Sequence, residues 1–317
     1  MNAVLRLVNH YTLPVAMAAG AGLYALFASV PSLGFVATRA PRVVNMLFPA
    51  TLFITLFTTF ARVDFGRMRP RRWHLALLAV QTALVALLVA AIRCAPSPST
   101  HILLESLLTC AIAPCAAAAP VVTSQLGGDL ASMATYLLIA SLFCTLTIPA
   151  VFPLVEPDAG IPFWTAAFAI LQRLAAVMLL PLLGGWAVRH CSHSTYEWIQ
   201  RHPRLSFHTW CLSLMMISGL TVRNIVHAPF PPLTVVAIAL GSLLVCLLHY
   251  AIGHLIGRHM SEPINIRQGA FQKNTALAIY ISSLYLHPVA SIGAGCYVLW
   301  QNIVNAYELR PQRKNTH

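Results

Sequence analysis

Long apolar runs separated by short polar breaks extend over the whole chain. Ten such runs lie near residues 11–30, 43–62, 73–94, 101–127, 130–153, 163–188, 205–226, 232–257, 268–286 and 289–308. Each run is close to the ~20 residues that a helix needs to cross a bilayer. The breaks carry proline, arginine or acidic residues, as in Glu156-Pro157-Asp158. The pattern predicts an all-α polytopic membrane protein with ten transmembrane helices, spans one to ten, in a single domain over residues 1–317.

Composition excludes a soluble protein. Charged residues make up 9% of the chain and apolar residues 58%, whereas soluble domains carry roughly 25% charged residues. The net charge of +12 comes from loops between apolar runs, so it orients the chain in the lipid bilayer and does not indicate a nucleic-acid partner. If both termini are cytoplasmic, most Lys and Arg residues fall on the inner side, and the outer loops contain only Arg39, Arg42, Arg93 and Arg223. Positive residues are enriched on the cytoplasmic side of membrane proteins. We therefore expect a multi-pass protein of the bacterial inner membrane with both termini inside.

The ten spans divide into two halves of five, over about residues 1–155 and 156–317. Because five is an odd number, the second half enters the membrane from the opposite side. This is the geometry of two inverted repeats, which is typical of secondary transporters.

Spans four and nine hold equivalent positions in the two halves, and both are interrupted. Span four contains Pro114 and Pro120, and span nine contains Gly269 followed by the polar segment 272–275. Prolines break the hydrogen-bond ladder of a helix, and broken backbone at membrane depth is tolerated where it lines a cavity. We therefore expect two discontinuous helices with breaks at these three residues. They should cross near residues 118–120 and 271–274, with free backbone groups that bind a solute.

Lys273 is the most informative single residue. A lysine near a helix centre costs roughly 2.5–3.5 kcal/mol on insertion scales, and partial snorkelling to the inner surface is the alternative to a functional role. Two further charges, Glu105 in span four and Arg173 in span six, either pair with each other or line the cavity.

Several short motifs resemble those of the bile acid:sodium symporter family. They are Asp64-Phe65 after span two, Gln81 in span three, the stretch from Pro114 to Gly128-Asp129, the run from Gln272 to Ala278, and Leu299-Trp300-Gln301-Asn302. The resemblance implies ten helices in an inverted repeat, panel and core subdomains, and spans four and nine crossing in the core. It also implies symport of organic anions with sodium.

The chain departs from this family where the family binds sodium. Most ligands of the family's first sodium site fall on residues with no suitable side-chain oxygen, namely Ala119, Pro120, Met133, Leu137, Gly269 and Lys273. Sodium needs several oxygen ligands, which these side chains lack. We expect Lys273 to replace the sodium ion, either as a fixed counter-ion or by taking up a proton when an anion binds. The sequence does not decide whether the coupling ion is H⁺ or Na⁺.

The sequence therefore predicts a secondary transporter that moves a small organic anion by alternating access, without a cofactor, catalytic residue or bound metal. The candidate binding residues are Gln81, Thr123, Gln272, Lys273, Asn274, Gln301 and Asn302. A sodium-coupled anion symporter is one alternative. An arsenite-type efflux permease is another, because Cys115 lies near the position of a functional cysteine in that branch. A membrane-embedded enzyme is disfavoured, since HExxH and GxSxG motifs and paired intramembrane carboxylates are missing from the sequence.

Overall fold

The computed structural model describes residues 12–156, 161–227, 231–287 and 289–309, and the regular structure in these ranges is helical. The helices are α1 (Thr12–Ser29), α2 (Gly34–Phe60), α3 (Arg72–Arg93), α4 (Pro98–Ile112), α5 (Ala119–Gln125), α6 (Leu130–Val155), α7 (Phe163–Leu174), α8 (Leu180–Cys191), α9 (His193–Arg201), α10 (Leu205–Val226), α11 (Pro232–Arg258), α12 (Pro263–Phe271), α13 (Thr275–Tyr285) and α14 (Ala290–Glu308). A π-helical segment, Ala175–Leu179, joins α7 to α8.

Seven helical segments in the described ranges are long and apolar enough to cross a membrane. They are α1, Thr38–Phe60 of α2, α3, α6, Phe163–Cys191, α10 and α11. Predicted spans four and nine are each divided into two short helices, α4 with α5 and α12 with α13. Span ten corresponds to α14, whose amide side chains make it less apolar. The protein is thus a nearly all-helical polytopic membrane protein, while the total of ten spans and the inverted repeat stay predictions.

The helices pack in two groups. In the first helix group (α1, α2, α8 and α10), α10 packs on both α1 and α2, and α8 packs on α2. In the second helix group (α3, α4, α6 and α11–α14), α11 packs on α4, α12 and α14, while α3 packs on α4 and α6. Helix α14 also contacts α1 and α10. The division into panel and core subdomains and the single domain over the whole chain stay predictions.

A tight turn connects α5 to α6. Gly127 has a φ of 83°, a conformation that side chains other than glycine rarely adopt. The Asp129 side chain then caps α6 by accepting hydrogen bonds from the backbone N–H groups of Ala131 (2.9 Å) and Ser132 (3.2 Å). The amide of Asn265 in α12 pairs with the backbone N–H and C=O of Asp129 at 2.9 and 2.7 Å. This Gly-Asp turn therefore ties both broken spans together.

Two of the three predicted break residues lie inside helices. Pro114 lies within the interruption of span four, residues 113–118, as expected, but Pro120 occupies the first turn of α5. Proline suits that position because its missing N–H would be unpaired there anyway. Gly269 lies within α12, where a Cβ would come within 2.9 Å of the Tyr136 ring. The predictions of breaks at Pro120 and Gly269 were wrong, since one begins a helix and the other permits close packing.

Helix α14 approaches α4 at a glycine. A Cβ on Gly293 would lie 2.5 Å from the Ser106 carbonyl oxygen, whereas a Cβ on Gly295 would lie 3.7 Å from the Thr221 methyl group. The first distance is a clash with backbone and the second is an ordinary van der Waals contact. Small residues of this kind let membrane helices pack backbone to backbone.

We expect Gly293→Ala to destabilise the protein and Gly295→Ala to leave its stability nearly unchanged. Overpacking a close contact costs about 1–3 kcal/mol, and one methyl group is added in both variants. The measurement is the thermal unfolding midpoint of each variant purified in detergent. Equal midpoints for the two variants would contradict this packing.

Candidate functional site

The two broken spans meet at their interruptions. Residues Pro114–Ala116 run antiparallel to residues 272–274, and the backbone N–H of Ala116 donates to the carbonyl of Gln272 at 2.9 Å. In return, the N–H of Asn274 donates to the carbonyl of Pro114 at 2.8 Å. We call these two segments the crossover. Each segment satisfies the backbone groups that the other span loses where its helix stops.

The crossover differs from the prediction in two ways. The crossing point on span four is Pro114–Ala116, not residues 118–120, because α5 has already begun at Ala119. The backbone groups at the breaks are also not free. Buried side chains pair with several of them, as an unpaired polar group at membrane depth is costly.

Gln81 in α3 connects the end of α4 to Lys273. Its amide nitrogen donates to the carbonyl oxygens of Ile112 (3.0 Å) and Ala113 (3.3 Å), which close α4. Its amide oxygen accepts a hydrogen bond from the Lys273 amine at 3.3 Å. The orientation of this amide follows from its partners, since carbonyls need a donor and an amine needs an acceptor.

The Lys273 side chain is buried, with an exposed fraction of 3%. The buried thiols of Cys110, Cys115 and Cys144 are neighbours of its amine. Among the side chains that the structure describes, Lys273 belongs to no ion pair. The C-terminal ends of α4 and α12 and the N-terminal ends of α5 and α13 all lie at the crossover, so partial charges of both signs surround the amine.

Helix α14 holds the end of α12 with two side chains one turn apart. The Gln301 amide oxygen accepts from the backbone N–H of Lys273 at 2.8 Å, and the Tyr297 hydroxyl donates to the carbonyl of Phe271 at 2.7 Å. His249 in α11 lies 3.2 Å from that hydroxyl through Nδ1. Tyr297 and His249 were not predicted from the sequence, although a histidine within a long apolar run is a usable signal of a functional site.

A second polar chain runs from the crossover to the end of α14. Gln272 and Gln268 are joined through their side-chain amides, and the Gln268 amide donates to Glu308 at 2.7 Å. Glu308 also pairs with Arg267 at 2.7 Å and accepts from the Tyr250 hydroxyl at 2.8 Å. This cluster was not predicted from the sequence, in which the spacing of Gln268 and Gln272 by one helical turn is the available signal.

The remaining predicted residues differ in role. Asn274 caps α13 by accepting from the N–H of Leu277 at 3.1 Å. Asn302 donates to the carbonyl of Val298 in its own helix at 2.7 Å. Thr123 is fully buried in α5, and its hydroxyl has no hydrogen-bond partner in the described part of the chain. The structure therefore brings together Gln81, Gln272, Lys273, Asn274 and Gln301, but not Thr123 or Asn302.

A cavity of about 380 Å³ lies beside the crossover, between α2 and α10 on one side and α13 and α14 on the other. This volume is within the usual range of about 300–1,000 Å³ for small-molecule sites. Its polar lining comes from Thr221, Asn224, Tyr280 and Ser291. None of the seven predicted binding residues lines it. Ala276, in the first turn of α13, connects its wall to the crossover.

The predictions for the two other charged residues in the apolar runs, Glu105 and Arg173, have different outcomes. Glu105 lies beside Glu156 and His101, far along α4 from its end at Ile112. The Arg173 side chain lies outside the described part of the structure, so its pairing with Glu105 stays a hypothesis.

Comparison with known proteins identifies the family. A family model described as the SBF-like CPA transporter family (DUF4137) matches residues 19–303. No match to the chain was found among curated proteins. The family match covers most of the chain and agrees with the resemblance to bile acid:sodium symporters drawn from its motifs. The chain therefore belongs to the SBF-like CPA transporter family and is a secondary transporter of the membrane, not an enzyme.

Proposed function

We propose that this transporter carries a small organic anion across the bacterial inner membrane by alternating access, with both termini cytoplasmic. The single observation that carries the proposal is the buried amine of Lys273, hydrogen-bonded to Gln81 at the crossover. A positive charge is built into the place where the related symporters bind a cation. The chain thus supplies by itself the positive charge that those proteins take from a bound sodium ion.

The cavity between the two helix groups supports an anionic solute. It is bounded by α2 and α10 of the first group and by α13 and α14 of the second, so relative movement of the groups would open it to either side. The first turn of α13 reaches its wall at Ala276. The N-terminal end of a helix carries partial positive charge, which favours a carboxylate there.

Lys273 strengthens this preference for an anion, although its side chain does not line the cavity. It precedes α13 by two residues and is buried, so water screens its charge only weakly. In one version of the proposal the lysine stays charged and acts as a fixed counter-ion. In the other, binding of the anion is accompanied by uptake of a proton at the lysine, which couples transport to H⁺.

The proposal is tested by uptake of labelled carboxylates into proteoliposomes that contain the purified protein. A panel of small mono- and dicarboxylates, with a neutral amide of matched size for each, identifies the solute class. Selective uptake of a carboxylate supports the proposal. Uptake of the neutral analogue at the same rate contradicts an anion site.

We expect Gly295→Leu to reduce uptake of the transported anion by about tenfold or more. Gly295 lines the cavity from α14, and a leucine side chain there occupies volume that the solute needs. Gly22→Leu is the matched control, because a Cβ on Gly22 in α1 meets nothing within 4 Å. Both variants should keep the same unfolding midpoint. Normal uptake by a well-folded Gly295→Leu variant would show that this cavity is not part of the transport path.

We expect Lys273→Met to raise the KM for the anion by about tenfold, equivalent to roughly 1.4 kcal/mol of binding free energy. Methionine fills a similar volume without charge. Gln81→Glu should also raise the KM for the anion, because a carboxylate beside the Lys273 amine cancels its charge. Cys115→Ala is the control, since it changes the crossover without changing its charge. An unchanged KM in both charge variants would contradict a role for Lys273 in anion binding.

A further inference from the structure

A cluster of three metal-ligating side chains lies at the opposite end of α4 from the crossover. His101 and Glu105 are one helical turn apart in α4, and Glu156 follows directly after α6. One ligand atom from each residue lies within 4.8 Å of the others. The distance between His101 Nδ1 and a Glu105 carboxylate oxygen is 3.9 Å.

Glu105 is the unusual member of the cluster. Its side chain has an exposed fraction of 0%, and neither carboxylate oxygen accepts a hydrogen bond of normal geometry from a described group. The Glu156 carboxyl group and the backbone of His287 also lie close to it. In the described part of the structure, neither glutamate pairs with a lysine or arginine. Two adjacent carboxylates without such a partner repel each other when both are charged, and either a proton or a metal cation relieves that repulsion.

The cluster opens into a cavity of about 550 Å³, which is lined by His101, Glu105, Glu156 and His287. The cavity gives an ion a path to the three side chains and leaves room for water. A site with three protein ligands and one open position for water is a common arrangement for zinc.

We propose that His101, Glu105 and Glu156 form a binding site for a divalent cation of the zinc class. One imidazole nitrogen and two carboxylate oxygens suit zinc and its neighbours, whereas Mg²⁺ and Ca²⁺ prefer oxygen ligands alone. Bonds of about 2.0–2.2 Å in tetrahedral geometry place ligand atoms about 3.4 Å apart. The present separations of up to 4.8 Å would therefore shorten by at most about 1.4 Å around the ion.

The site would join two parts of the fold. Its ligands come from the first half of α4 and from the end of α6, which approach each other only through tertiary packing. Binding of the ion would hold these two helix ends together, so it should raise the stability of the folded protein in proportion to its affinity. No metal was predicted from the sequence, in which Glu156 lies about 50 residues from the other two ligands.

Titration of the full-length protein with Zn²⁺ tests the site directly. The detergent-purified protein is freed of metal with a chelator, and Zn²⁺ binding is then followed by calorimetry and by the shift in unfolding midpoint. We expect one site whose affinity falls at least about tenfold in Glu105→Gln and Glu156→Gln. The Zn²⁺-induced rise in midpoint should disappear in both variants, and Mg²⁺ should produce no such rise.

His193→Ala is the matched control. His193 and Glu197 form a pair with the same spacing on α9, but this pair is exposed, so its loss should leave the high-affinity site intact. The midpoints without metal show whether each variant is folded. The proposal is overturned if the unmodified protein binds no Zn²⁺, if Glu105→Gln binds it equally well, or if His193→Ala removes the binding. Because these measurements involve no solute, their outcome is independent of the proposed anion transport.

Discussion

The architecture depends on backbone hydrogen bonding at membrane depth. Two interrupted helices leave N–H and C=O groups unpaired in a region where each such group costs several kcal/mol. The antiparallel pairing of Pro114–Ala116 with residues 272–274 satisfies part of this need. Gln81, Tyr297 and Gln301 satisfy further groups. The second helix group is therefore held together by polar contacts at its centre as well as by apolar packing.

This arrangement separates a fixed region from the region where solute would pass. The crossover is buried and its backbone groups are engaged, so it is suited to hold a charge in place. The cavity lies beside it, where α2 and α10 face α13 and α14. Lys273 does not line that cavity, and it precedes α13 by two residues. In the proposed function its charge acts on the cavity across this short distance. In this account, the solute site can open and close while the charge that favours an anion stays in place.

The sequence was sufficient to predict a helical polytopic membrane protein and the approximate position of both breaks. Apolar run length, the proline in span four and the polar segment in span nine are local signals, and they located the interruptions within a few residues. Pro120 was misassigned because proline both ends and begins helices, and only the three-dimensional path decides which. The pairing of Lys273 with Gln81 and the cavity lining at Asn224 depend on packing between distant helices. No local pattern encodes such contacts.

The central claim is that a built-in lysine takes the place of the sodium ion of related symporters. The most direct test measures anion uptake by proteoliposomes of the unmodified protein in sodium-free buffer, with sodium replaced by choline on both sides of the membrane. If Lys273 fulfils this role, uptake persists at nearly the rate measured with sodium, whether or not it depends on pH. Uptake that is abolished when sodium is removed, and restored when sodium is returned, would contradict the account.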